Sequence, residues 1–196
     1  MIILDIEASG VNYEKHSILS IGALDFDNPE NRFYGECQVW EGAHISEEAL
    51  AVNGFSEAEA TDSTKQTEAQ LIGQFISWAE GIEDQTFVGQ NVSFDRDFVK
   101  AACERAGYNY PFAHRTLDTH TMAYMHYVLH GKEVPIAKRH SALNIEVITE
   151  YVGIPGEPEP HNALTGALIH AEFTSRLMFG KELLPEFEQF DMPSYE

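Results

Sequence analysis

The first ten residues, MIILDIEASG, restrict the architecture more than any other stretch of the chain. Ile2, Ile3 and Leu4 form an apolar, β-prone run, which predicts a buried strand beginning almost at the chain start. Side chains alternate across a strand, so Asp5 and Glu7 project together from one face near its C-terminal end. Like charges side by side repel. A folded protein keeps such a pair by neutralising one member, by solvating both, or by holding a divalent cation between them. An alternating apolar and acidic strand is equally what a half-exposed sheet strand looks like, with its polar side in water. The small residues that follow, Ala8, Ser9 and Gly10, admit close approach of a ligand to the backbone, and the rest of the chain has to separate the two readings.

Strand character returns at Ser17 to Phe26 (SILSIGALDF), and the DNPEN segment after it is dense in turn formers. A third strand over about Arg32 to Trp40 then pairs back as a hairpin. Ser46 caps a short helix over EEAL that Asn53-Gly54 ends. Between Thr67 and Ala79, Leu71, Phe75, Ile76 and Trp78 fall near helical spacing. Thr86 to Val88 reads as a short buried strand closing with GQN, after which Asn91 or Ser93 caps a helix. In that helix Phe94, Phe98, Ala102 and Ala106 repeat every four residues, and Gly107 stops it. Thr116-Leu117-Asp118 is the last short strand, followed by helices over about Thr119 to Leu129, Ser141 to Val152 and Asn162 to Phe179. Three strands followed by alternating helix and strand describe an α/β fold, a mixed sheet covered by helices. The expected organisation is one domain over residues 1–180 and an acidic, aromatic tail over 181–196 that orders only by docking.

No apolar run approaches the roughly 20 residues of a membrane helix, and Met1 leads straight into the first strand without room for a signal peptide. The expectation is a cytoplasmic protein, with Cys37 and Cys103 as buried thiols, since they form no ligand pattern. A net charge of −20 argues against polyanionic partners. The charge is uneven, however. From Arg96 to His140 there are seven Lys and Arg against four acids, together with His114, His120, His126, His130 and His140. A locally basic face on an acidic body is compatible with nucleic acid.

Two further features accompany the opening pair. In GQNVSFDRDFV, Asp95 stands in the first turn of its helix, where the helix dipole favours a carboxylate, and beyond a strand end, where α/β sheets place their sites. Asp97, two residues on, faces the other way. In PHNALTGALIHAEF, His161 sits between Pro160 and a helix start that Asn162 can cap. With D-x-E on the first strand, N-x-x-F-D opening a helix and H-x-A before the last helix, in that order, the chain resembles the DnaQ-like (DEDDh) family of 3′-to-5′ exonucleases over roughly Ile2 to Phe179. SILSIGAL after the first motif, and LDT and HSAL between the second and third, add to the likeness.

The resemblance implies a ribonuclease H-like, mixed five-stranded sheet with three antiparallel strands first. It also implies a two-metal phosphodiesterase. Asp5, Glu7 and Asp95 would hold two Mg²⁺ or Mn²⁺ ions, hard cations that prefer carboxylate oxygen. His161 would be the general base, imidazole being the side chain whose charge changes near neutral pH. The substrates implied are single-stranded DNA or RNA 3′ ends cut to nucleoside 5′-monophosphates. No membrane is involved, and the assembly is left open, a homodimer included. Candidate substrate contacts are Ala8, Ser9 and Gly10 on the first motif, Asn53 and Phe55 in the segment after Gly42, and Asn91 and Phe94 on the second motif; the two aromatics can stack on bases, although a place in the core is the commoner use of both.

The pattern departs from the family at one position. The third motif is H-x-x-x-x-D, and five residues after His161 stands Gly166, so the fourth metal-binding acid is missing from its expected place. Either the site works with fewer protein ligands, or His170 or Glu172 substitutes, or cleavage has been lost. Helix geometry disfavours substitution: His170 is displaced by about 6 Å along the axis and Glu172 by about 9 Å and onto another face. Three functions therefore stand: a weakened exonuclease, a catalytically inactive nucleic-acid-binding member of the fold, and a metal-dependent phosphatase on small nucleotides.

Overall fold

The computed structural model describes residues 1–195. Its main sheet has five strands in the order β3-β2-β1-β4-β5, formed by β1 (Ile2–Ala8), β2 (Ile18–Asp25), β3 (Asn28–Glu36), β4 (Phe87–Gly89) and β5 (Thr116–Asp118). The first three strands are antiparallel; β4 runs parallel to β1, and β5 parallel to β4. This is the mixed, helix-flanked five-stranded sheet, three antiparallel strands first, that the sequence resemblance implied. β1 is central and buried on both faces. Ile2, Leu4, Ile6 and Ala8 enter one core beneath α3 (Glu68–Ala79) and α4 (Ser93–Ala106). Ile3 enters the other, with α5 (Thr119–Leu129), α6 (Ile145–Val152) and α7 (Ala163–Phe179). The strand's alternation therefore puts Asp5 and Glu7 on the α7 side.

Two glycines fix how closely α7 and β4 approach this strand. Gly22 pairs with Asp5 across the β1–β2 ladder, and a Cβ there would collide with the backbone of Ala163 and Leu164. The first turn of α7 thus lies on β2 directly beside Asp5. A Cβ on Gly89 would come 2.7 Å from the Leu4 carbonyl oxygen, so β4 can end against β1 only as glycine.

Several local expectations need correction. The third strand begins at Asn28 and leaves the sheet after Glu36. The turn is tighter than DNPEN suggests, and Pro29 is tolerated because β3 is an edge strand, where a missing N–H breaks no ladder. Cys37 to Val39 instead bond across to Leu19, Gln66 and Ala60. Neither Asn91 nor Ser93 caps α4. Val92 holds that place without a side-chain bond, while Asn91 adopts φ 52° and its carbonyl accepts from the Phe94 N–H at 2.9 Å.

The helix expected from Ser141 starts at Ile145, capped by Asn144. Before it, β6 (Ile136–Ala137) and β7 (His140–Ser141) form a small hairpin whose turn residues, Lys138 and Arg139, both have positive φ. Such turns usually carry Asn or Gly, so residue preference offers no sign of this one. Short helix α2 (Glu57–Ala60), opened by a capping box at Ser56, also lies outside the expected elements, whereas α1 (Glu47–Asn53) ends at Gly54 as its Asn-Gly pair predicts.

Beyond α7, Leu184 and Phe187 enter the second core. They are held there by Arg176 and Glu172, both wholly buried: Arg176 donates to Glu172 Oε1 (2.7 Å) and to the Phe190 carbonyl (2.8 Å), while Glu172 Oε2 accepts from the N–H groups of Leu183 and Leu184. Cys37 and Cys103 are free and buried. Among the described residues no helix is long and apolar enough to cross a membrane.

Candidate active site

β4 pairs with β1 only as far as Ile3↔Val88, so the second half of β1 runs on past its neighbour and leaves an N–H without a strand partner. A buried amide must find an acceptor elsewhere. For Ile6 the acceptor is Asp95 Oδ1 at 3.1 Å, brought there by the first turn of α4. The expected carboxylate is thereby tied to the backbone between the opening acids. Asp97, on the other side of the helix, pairs with Arg96 at 2.8 Å.

His161 is placed by three contacts. Its N–H donates to the Val52 carbonyl (3.1 Å), the next residue, Asn162, caps α7 by accepting from Leu164 and Thr165, and Pro160 packs on Gly54, where φ 73° and the neighbouring proline both exclude a side chain. Asp5, Glu7 and His161 then open onto one cavity of about 250 Å³, whose wall also includes Gln90, Glu157 and His170. Asp95 lies just behind that wall, beneath Ile6. Ligand atoms of Glu7, Glu157 and His161 lie within 4.8 Å of one another, and His161 Nδ1 is 3.6 Å from Glu157 Oε2.

So many acids in so little water repel. Burial, and then the neighbouring Asp95, Glu7 and Glu157, holds Asp5 well above the usual carboxylate range. Burial with Glu157 and Asp95 beside it pushes Glu7 up to about 8, the Asn53 amide opposing. Asp95 is raised to about 7 by burial, against the hydrogen bond from Ile6. Glu157 is raised as well, with His161 pulling the other way. Protons can relieve such a cluster, and so can cations. The donor set is carboxylate oxygen with one imidazole, which suits Mg²⁺ or Mn²⁺.

Gly166 faces this cluster. A Cβ built there would overlap Asp5 Oδ2 and come 3.3 Å from Glu157 Oε1. Neither substitute within α7 takes the absent acid's place. Glu172 is occupied with Arg176 on the far side. His170 lines the cavity, but burial holds it near 4, and its Nδ1 has no partner among the described residues.

The expected substrate contacts divide. Asn53 reaches the site, donating to the Ala8 carbonyl at 3.1 Å beside Glu7, and Phe55 borders a shallow recess shared with Asn53 and His161. Asn91 lines a larger cavity of about 860 Å³ with Gln90, Asp118, His120, Lys138 and His140. The other four do not face the cavity. Ala8 and Ser9 are buried, Ser9 bonding to the His44 carbonyl and the Ser17 N–H; Gly10 packs on the His16 ring; and Phe94, half-buried, packs its ring at a tilt on Phe98, centroids 4.7 Å apart, against the first core.

Sequence reasoning missed Glu157, Gln90 and the Lys138-Arg139 hairpin. Glu157 left a mark as an acid four residues before His161 in GEPEPH, and Lys138 and Arg139 only as two of the cations in the basic segment.

Comparison with known proteins agrees with the fold. The family model described as Exonuclease (RNase_T) matches residues 2–174. Ribonuclease T of Yersinia pseudotuberculosis serotype O:1b (strain IP 31758) is 29% identical over 134 residues, 60% of this chain and 61% of that protein. Ribonuclease T of Haemophilus influenzae (strain PittEE) is 26% identical, over 54% of this chain and 52% of its own length. The chain thus spans under two thirds of the relatives it matches. Among solved structures, Escherichia coli exonuclease I in its zinc-bound complex with single-stranded DNA superposes with a TM-score of 0.73 at 16% identity, over 92% of this chain and 41% of that one. The nuclease domain of 3′hExo, a DEDDh family member bound to rAMP, gives 0.70 at 16% identity, over 98% and 95%. At these identities the likeness is one of fold.

Proposed function

Because the chain belongs to the Exonuclease (RNase_T) family, we propose that it is a 3′-to-5′ exonuclease that releases nucleoside 5′-monophosphates from single-stranded nucleic acid, with Asp5, Glu7 and Asp95 as its metal-holding acids and His161 as its general base. The observation that carries this reading is the meeting of acids from β1 and α4 with a histidine from the start of α7 at the unpaired end of β1. Two Mg²⁺ or Mn²⁺ ions held there would supply Lewis acidity to the scissile phosphate and to the leaving 3′ oxygen.

The chain's own residues do the rest. The imidazole of His161 takes the proton of the attacking water, and Glu157, 3.6 Å from Nδ1, orients the ring and stabilises it once protonated. A strand end can reach His161 along the larger cavity that shares Gln90 and Asn144 with the catalytic one. Its rim carries Lys138, His120 and His140, which can meet phosphates on an otherwise acidic surface. The exonuclease I complexes, solved with single-stranded oligonucleotides, support that class of substrate. Two free, buried thiols fit a reducing compartment such as the cytoplasm.

The test is digestion of a short oligonucleotide labelled at its 3′ end, with Mn²⁺. Release of labelled mononucleotide, abolished by Asp5→Asn and by His161→Ala, is expected. Gly166 favours one second reading, a member of the fold that binds and does not cut. Retention of the oligonucleotide with no release at millimolar Mn²⁺ and micromolar protein would establish it instead.

A further inference from the structure

We propose that Glu157, from the loop between α6 and α7, takes the place of the acid that Gly166 lacks, so that the fourth carboxylate of the site comes from before His161 and not from the helix after it. The inference rests on the exonuclease reading and deepens it.

Position 166 is closed to any side chain while Asp5 stays where it is, because the Asp5 carboxylate fills the space of the missing Cβ. An aspartate there would have to displace the metal-holding acid it is meant to assist. Glu157, from the preceding loop, reaches the same spot, with Oε1 3.3 Å from where that Cβ would stand. Its side chain is only 7% exposed, and its ion-pair partner is His161; among the described residues no Lys or Arg pairs with it. A carboxylate is expensive to bury without a compensating positive charge. Here the surroundings add two more acids, Asp5 and Glu7, so a cation bound between them would balance Glu157 where protons otherwise must.

The loop is built to hold that geometry. Gly153 ends α6 at φ 77°, Ile154 anchors the chain in the second core, and the Asn162 N–H donates to Glu157 Oε1 at 3.4 Å. The reach is consistent too. A loop glutamate has one more methylene than a helix aspartate, and with it Glu157 comes within 4.8 Å of ligand atoms on both Glu7 and His161. Glu159, two residues on, is exposed.

The experiment compares the wild-type chain with Glu157→Gln, Glu157→Asp and Glu159→Gln. Mn²⁺ binding is read by titration calorimetry and by the paramagnetic resonance of free Mn²⁺, and digestion of a 3′-labelled oligonucleotide is followed in parallel. Melting in metal-free buffer reports folding. The expected result is that Glu157→Gln melts no lower than wild type yet binds Mn²⁺ at least about tenfold more weakly or with one site fewer, since charge count sets affinity. Its digestion falls in step, Glu157→Asp lies between, and Glu159→Gln matches wild type. If Glu157→Gln binds Mn²⁺ as wild type does while both cut, Glu157 is not a ligand and the exonuclease reading stands without it. If wild type neither binds Mn²⁺ nor cuts, the exonuclease reading falls and this inference with it.

Discussion

Raising the pH of the metal-free protein should lower its melting temperature, and Mg²⁺ should reverse the loss. With Glu7 held at about 8 and Asp95 at about 7, the folded chain keeps protons that an unfolded chain, with ordinary carboxyl values near 4, has already released. A group raised on folding contributes stability that is full below its unfolded value and is lost as pH climbs through its folded one. Histidines work the other way. Burial holds His170 near 4 and lowers His126, so their contribution grows with pH, but it is complete near 6.5, where unfolded imidazole loses its proton. From about pH 6.5 to 8 the carboxyls dominate.

Each pH step costs about 1.4 kcal/mol per carboxyl still protonated. That gives roughly 2 kcal/mol for Glu7 and about 0.7 kcal/mol for Asp95 before it ionises near 7. At about 2–4 °C per kcal/mol for a chain of this size, Tm in EDTA should fall by roughly 5–10 °C. Saturation with Mg²⁺ at about 100 times its Kd returns about 2.7 kcal/mol, and the gain should be larger at pH 8 than at pH 6.5. Thermal melts by circular dichroism at several pH values, with EDTA or Mg²⁺, measure this, and Glu7→Gln should flatten the metal-free slope. A metal-free Tm that is level or rising across the window, or a Glu7→Gln chain with the wild-type slope, would refute the reasoning.

Two further outcomes follow from contacts elsewhere. Arg176→Met leaves Glu172 buried and uncompensated and frees the carbonyls near Phe190, so urea unfolding should show a loss of about 3–5 kcal/mol, partly recovered in Arg176→Met/Glu172→Gln. Replacing Lys138 and Arg139 by Glu should weaken binding of a single-stranded oligonucleotide and lower the slope of log K against log salt by about 1.4, some 0.7 for each phosphate no longer neutralised, as read by fluorescence anisotropy; an unchanged slope would take the hairpin out of the binding path.

Sheet order set the central place of β1, whereas the strand-helix order and the pairing of Asp5 with Glu7 on one face were legible because they depend on local periodicity. So was the start of α7 at Asn162, where a cap precedes a helical run. The hairpin around Lys138 and Arg139 was not, since two cationic residues hold the positive φ that turn propensity assigns to Asn and Gly. Phe94 was legible as a packing residue, since it shares one apolar helix face with Phe98 and Ala102, and it lies partly buried against the first core.

What the sequence by itself determined is which residue types stand at which point along each element, because strand and helix periods are properties of the backbone. What only the tertiary structure decided is which side chains from distant segments share one small volume. Gly166 looks like a gap along the chain, but in space the Asp5 carboxylate fills it and Glu157 stands beside it. That arrangement is set by the path of a loop packed against α1 and by the close approach of α7 to Gly22, neither of which local sequence encodes.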